Sequence, residues 1–290
     1  MIDRRSLLGL MATLPFLPHP ARAAAPQVIA TTGMIADAAR RLTGLAVPSI
    51  LGPGMDPHSH RPTRGDVLAL SRADIILWHG LNLEAQFREV IGELAQKKTV
   101  VALGEALPKE LLLSDPAYPD QPDPHVWMDP AIWQQVVAEA GRALAAAGYD
   151  TATRGEEFAA EIAALGTYSA EVLASVPEEA RVLVTAHDAF GYFARAYGLT
   201  FIAPQGVSTE TEASSRDVAR IIRQIRAEKI PAVFLENISD PRLMNQIARE
   251  TGARIGEALF PDSLSAADGP AATYAAMMRR NLEAFTKALR

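Results

Sequence analysis

Short β-rich runs alternate with helical patterns in two separate stretches of this 290-residue chain. In the first stretch, Val28 to Thr31, Val47 to Leu51, Asp74 to Trp78 and Thr99 to Ala102 read as strands, with helices over Met34 to Leu42, Arg64 to Ser71 and Leu83 to Leu94. The rhythm returns with strands at Val182 to Thr185, Thr200 to Ala203, Ala232 to Glu236 and Arg254 to Glu257. Helices at about 189–197, 214–228 and 240–251 separate these strands, and a last helix spans 270–289. Strands joined through helices pair in parallel rather than as hairpins. The expected fold is α/β: two parallel-sheet lobes, each long enough to bury a core of its own.

The segment between them has a different texture. Six prolines crowd residues 108–130, whereas none occurs from Ala131 to Val176, where alanine is frequent. That stretch predicts helix, broken near Gly148 and Tyr149, with Asp150 capping a second helix over about 151–175. Phe158, Ile162, Leu165 and Val172 share one stripe of it. At 1.5 Å per residue it measures ~37 Å, long enough to join two lobes.

Charge and cysteine content exclude several chemistries. The chain carries 28 Lys and Arg against 34 Asp and Glu, a net charge of −6, the wrong sign for a nucleic-acid partner. It has no cysteine, hence no thiolate nucleophile, redox pair or thiolate metal site. Any metal must be held by imidazole and carboxylate. No GxGxxG, P-loop, GxSxG or HExxH pattern is present.

At the amino terminus, Arg4 and Arg5 precede the apolar run Leu7 to Leu17, which is too short to span a bilayer. The small residues around Ala21 to Ala25 follow, completing the order of a cleaved export signal. The pattern RRSLLGL suits the twin-arginine route as well as the general secretory one. Cleavage after Ala23 removes three arginines and one aspartate, so the mature chain is more acidic still. The expected organisation is an export signal over 1–23, an N-terminal lobe over 24–148, a linking helix over 149–178 and a C-terminal lobe over 179–290. The expected location is the periplasm.

Five of the six histidines lie beyond the signal. Two occur in the same tripeptide, Asp56-Pro57-His58 and Asp123-Pro124-His125. The proline holds each histidine out of a helix interior, and the aspartate is a candidate acceptor for an imidazole N–H. His187 follows the apolar run RVLVTA, at the carboxyl end of a strand, where ligands of open α/β sheets gather. Asp262 follows the last expected strand in the same kind of place. His58, His125, His187 and Asp262 therefore form one candidate site. Three neutral imidazoles and a carboxylate suit Zn²⁺ foremost, with Mn²⁺ a competitor if Asp262 binds through both oxygens. Four protein ligands leave no open position for a catalytic water, which points to a binder rather than an enzyme.

Other residues are weighed against this set. His79 belongs in the turn made by Gly80 and stays outside the site. His60 is an auxiliary ligand candidate, because an HxH pair with His58 in a strand would face one side; a zinc hydrolase using that pair, with Asp56 or Glu236 as base, is the rival reading. Glu236, at the end of its strand, is expected to support a ligand rather than to bind metal directly.

At these residues the chain resembles the TroA-like group, the periplasmic solute-binding proteins of zinc and manganese ABC transporters. GMDPHSHRPTRGDV, NLE at 82–84, PDPHVW, VLVTAHDAFGYFARAYG, QGVSTETEAS, AVFLEN and ALFPDSLS all fall in the family's order, across essentially the whole mature chain. The resemblance implies two α/β lobes joined by a long rigid helix, with the metal in the cleft between them. It places the four ligands on His58, His125, His187 and Asp262, and His187 matches the zinc-capable pattern. It implies a monomeric receptor that hands its ion to a membrane permease with a separate ATPase subunit. His60 and His79 stand where relatives often have Tyr and Asn, and residues 108–130 lack the His-rich acidic loop of some zinc-specific relatives.

Overall fold

The structure, a computed structural model, describes residues 25–289. The expected export signal lies outside the described residues.

Two parallel sheets are present. The first joins β1 (Val28–Ala30), β2 (Ile75–Trp78) and β3 (Thr99–Ala102) in the order β1-β2-β3, with Val28 opposite Ile75 and Ile75 opposite Thr99. Residues 47–51 run along the free side of β1, where Ile50 N–H and Leu51 N–H donate to Ala30 O and Thr31 O. The expected strand there is reduced to a single bridge, Ala30 to Ser49. Pro48 has no N–H to contribute to a ladder. The second sheet has the order β5-β4-β6-β7, from β4 (Val182–Val184), β5 (Thr200–Ile202), β6 (Ala232–Val233) and β7 (Arg254–Ile255). β6 and β7 are shorter than expected, and pairing resumes beyond them only at the bridge from Glu236 to Leu259.

The helices are α1 (Gly33–Thr43), α2 (Arg64–Arg72), α3 (Arg88–Ala95), α4 (Pro130–Ala146), α5 (Ala152–Ala174), α6 (Gly191–Tyr197), α7 (Ser215–Glu228), α8 (Arg242–Thr251) and α9 (Tyr274–Ala288). α9 starts later than the expected residue 270 because Thr273 caps it, its side chain accepting Ala276 N–H. α5 is the long connector: its 23 residues extend ~35 Å and bury Phe158, Ile162, Leu165, Ser169 and Leu173 on one stripe. That stripe packs on α1 and α4 of the first lobe and on α6 and α9 of the second. Asp150 does not cap it; Thr151 occupies the N-cap position and turns its hydroxyl to Gly141 O instead.

The core departs from the expectation of one per lobe. A single apolar cluster runs from Ile75, Leu77 and Trp127 through Trp133 and Leu165 to Leu183, Phe190 and Phe285. Only the outer faces have separate cores, around Ile29, Ile76 and Phe87 in the first lobe and Val184, Ile221 and Ile247 in the second. Among the described residues, no helix is long and apolar enough to cross a membrane.

Candidate metal centre

In each sheet the chain leaves one strand, adds a neighbour on one side, then returns to the other. These reversals lie between β1 and β2 and between β4 and β6, and they open crevices at the strands' carboxyl ends. Both crevices face the cleft between the lobes, and the candidate residues collect there.

His187 follows β4, and Glu236 follows the neighbouring β6. The Glu236 carboxylate accepts the N–H groups of Ala186 and His187 at 2.9 and 3.2 Å, and its second oxygen lies 2.6 Å from His187 Nδ1. This contact fixes the ring and leaves Nε2 to point into the cleft. Asp262 arrives just beyond the Glu236–Leu259 bridge.

The two Asp-Pro-His tripeptides behave differently. The Asp123 carboxylate accepts His125 N–H at 2.9 Å and lies 2.7 Å from His125 Nδ1, so it orients the ring. Asp56 also accepts the backbone N–H of its histidine, at 2.9 Å, but does not reach the ring. Its remaining capacity goes to Ser59 Oγ–H at 2.7 Å and, across the cleft, to Thr209 Oγ1–H at 2.6 Å. The turn that delivers His58 begins at Gly54, whose φ of 73° suits a residue without a side chain, and whose N–H donates to Ser263 Oγ at 2.8 Å.

The structure brings His58, His125, His187 and Asp262 together: one donor atom from each lies within 4.8 Å of all the others, and all four residues are buried. His58 Nε2 and His125 Nε2 are 3.3 Å apart. Asp262 Oδ1 is 3.3 Å from His125 Nε2, and Oδ2 is 3.1 Å from His187 Nε2 and 3.6 Å from His58 Nε2. A tetrahedron of ligands about 2.0–2.1 Å from a central ion has edges of roughly 3.3–3.4 Å. The observed separations match. Both Asp262 oxygens and His187 Nε2 are buried without a well-aligned hydrogen-bond partner. Buried polar atoms are rarely left so, and their convergence on one point is what a cation would satisfy.

Electrostatics reinforce this. Burial pushes His58 down to about 4, against the pull of Asp262. Burial also opposes charge on His125, but Asp262 and then Asp123 outweigh it and lift the ring to about 9. Glu236 and then Asp262 carry His187 well above its ordinary value in the same way, and the charged rings of His187 and His125 hold Asp262 well below the usual carboxylate range despite its burial. Without an ion, protons on His125 and His187 supply the positive charge that Asp262 requires.

His60 is not part of this cluster. Residues 57–59 form a turn, not a strand, so the HxH pair does not share a face. His60 Nε2 lies 3.1 Å from Asp66 Oδ2, and its ring stacks on Phe87. Neither Asp56 nor Glu236 is free to act as a base, each being engaged by several donors. His79 also lies outside the cluster, but beside it: its Nε2 is 2.8 Å from Pro124 O, which makes this nitrogen the donor, and burial lowers the ring to about 3. His79 begins a turn with Gly80, Leu81 and Asn82 all at positive φ. The buried carboxylate of Glu84 holds it by accepting His79 N–H, Gly80 N–H and the Thr31 hydroxyl. Glu84, Trp127, Tyr192 and Thr209 are support residues that sequence reading misses. For Glu84 a signal exists: it is a lone carboxylate in the apolar run LNLEAQF.

Residues 28–288 match the family described as ZnuA, zinc-uptake complex component A, periplasmic. The chain is 36% identical over 277 residues to the zinc-binding protein TroA of Treponema pallidum, covering 91% of this chain and 89% of TroA. It is 35% identical over 276 residues to the manganese-binding lipoprotein MntA of Bacillus subtilis, covering 91% and 90%. Against the iron-binding protein YfeA of Yersinia pestis the identity is 32% over 267 residues, covering 90% and 85%. The solved structure of the periplasmic zinc-binding protein TroA superposes with a TM-score of 0.85 at 34% identity, covering 92% of this chain and 99% of that one. With two parallel-sheet lobes, a connecting helix and a buried His₃Asp cluster in the cleft, this chain belongs to the ZnuA/TroA-like family of metal-binding solute-binding proteins.

Proposed function

We propose that this protein is the periplasmic receptor of a metal ABC transporter, capturing a divalent transition-metal ion on His58, His125, His187 and Asp262 and delivering it to a membrane permease driven by a separate ATPase. The single observation that carries the reading is the set of four converging donor groups, buried and including oxygens and a nitrogen without aligned partners. A closed shell of four protein ligands favours retention over hydrolysis, so the reading is of a binder and not an enzyme. Glu236 and Asp123 support His187 and His125 without binding the ion.

Zn²⁺ is the favoured cargo, because the ligand separations suit a tetrahedron. Mn²⁺ is the second, because both Asp262 oxygens face imidazole nitrogens and a bidentate carboxylate raises the coordination number. The relatives divide the same way, bearing names for zinc, manganese and iron binding. The protein acts as a monomer, exported on a cleaved signal.

Elemental analysis of purified protein, followed by chelation and competitive reloading with zinc and manganese, tests the assignment. His125→Ala is expected to lose most bound metal while keeping the circular dichroism of the fold. Unchanged metal content in that variant overturns the reading.

A further inference from the structure

Trp127 lies between the two halves of the site and is fully buried. Its indole Nε1–H donates at 2.7 Å to Pro261 O, the carbonyl of the residue before Asp262. Its own carbonyl accepts the Tyr274 hydroxyl at 2.9 Å. The ring meets His79 and His125 edge to face, with centroids 4.9 and 5.2 Å apart. A residue two positions after one ligand thus grips the second lobe by both side chain and backbone, next to another ligand.

Asp262 needs such a grip. The rings of His125 and His187 are oriented by Asp123 and Glu236, but no side chain outside the cluster holds either Asp262 oxygen. Its placement falls to the backbone around it. Asn281 takes both the N–H and the C=O of Phe260 at 2.9 Å, Ser263 Oγ accepts Gly54 N–H, and Trp127 takes Pro261 O. Of these three anchors, Trp127 is the one whose ring also packs on a ligand.

Resting on the metal-capture reading, we propose that Trp127 is the positioning residue that sets the span between His125 and Asp262 and thereby the rate at which a bound ion is released. Without the indole donor, the Pro261 carbonyl is buried and unpaired, and the 261–262 backbone no longer holds the carboxylate 3.3 Å from His125 Nε2. Entry does not depend on that span, so the cost falls on dissociation.

The test is stopped-flow release of zinc from the full chain to a chelating dye, for Trp127→Phe and for replacement of Trp127 by benzothienylalanine, which keeps the bicyclic shape and removes the donor. Both variants are expected to release zinc about tenfold faster, with association within about threefold. The visible spectrum of the cobalt-loaded variants is expected to depart from that of the cobalt-loaded parent. Gln86→Ala removes an exposed cross-lobe hydrogen bond to Glu210 and is expected to leave release within about twofold. Parental release rates in the folded benzothienylalanine protein overturn the proposal, as does equal acceleration by Gln86→Ala. Failure of the unaltered chain to bind zinc would instead refute the metal-capture reading.

Discussion

Glu236 Oε2 lies 2.6 Å from His187 Nδ1, and the other oxygen of the same carboxylate accepts the backbone N–H of that histidine. One side chain therefore sets both the ring's orientation and its tautomer. In Glu236→Gln, an amide N–H₂ turned to Nδ1 shifts the proton to Nε2 and turns its lone pair away from the metal. Metal affinity is expected to fall about 10- to 100-fold, measured by competition with a chelator of known strength.

Metal uptake is expected to displace about two protons at neutral pH. His125, lifted to about 9, and His187, higher still, are protonated in the free protein, while His58, near 4, is not. A metal ligand must be neutral imidazole, so binding strengthens as pH rises, by about two log units of affinity per pH unit below 9. Calorimetry in buffers of different ionisation enthalpy reads the proton count directly; an enthalpy independent of buffer contradicts it.

Asp262→Asn removes the carboxylate shared by all three rings. It is expected to abolish tight binding and to lower the pKa values of His125 and His187 in the free protein. Histidine titration by NMR checks the second effect separately from the first.

His60→Ala is expected to leave metal affinity within about twofold and to cost at most ~1 kcal/mol of stability, since His60 meets only the half-exposed Asp66 and the edge of the outer core. A large loss of bound metal would restore His60 to the site.

Phe285 packs against Phe190, Phe193, Phe201 and Phe234, within the core that both lobes share. Phe285→Ala is expected to cost ~3–5 kcal/mol. Denaturant titration of the metal-free protein is expected to show one transition for the whole chain, in the parent and in the variant.

The α/β architecture is legible in the sequence because helix and strand periods differ, and the four clustered residues because they stand at strand ends and in repeated tripeptides. What is not legible depends on partners far away in the chain. The two tripeptides look alike, yet Asp123 reaches an imidazole while Asp56 spends its oxygens on Ser59 and on Thr209 of the other lobe. Trp127 reads as an ordinary core aromatic until Pro261, 134 positions on, is beside it. His60 is mistaken for a ligand candidate by an alternation rule that holds in strands and fails in a turn. The segment 47–51 reads as a strand by composition, but Pro48 leaves it a single bridge.

The shared core makes this chain a single heritable unit. Trp127, Leu165, Phe190 and Phe285 belong to one packed surface drawn from both lobes and the connector. A chimaera joining the first lobe of one relative to the second lobe of another must match that surface as well as the ligands, so the lobes are not exchangeable parts. Shifts in metal preference within such a chain come more readily from changes around the ligands than from trading lobes.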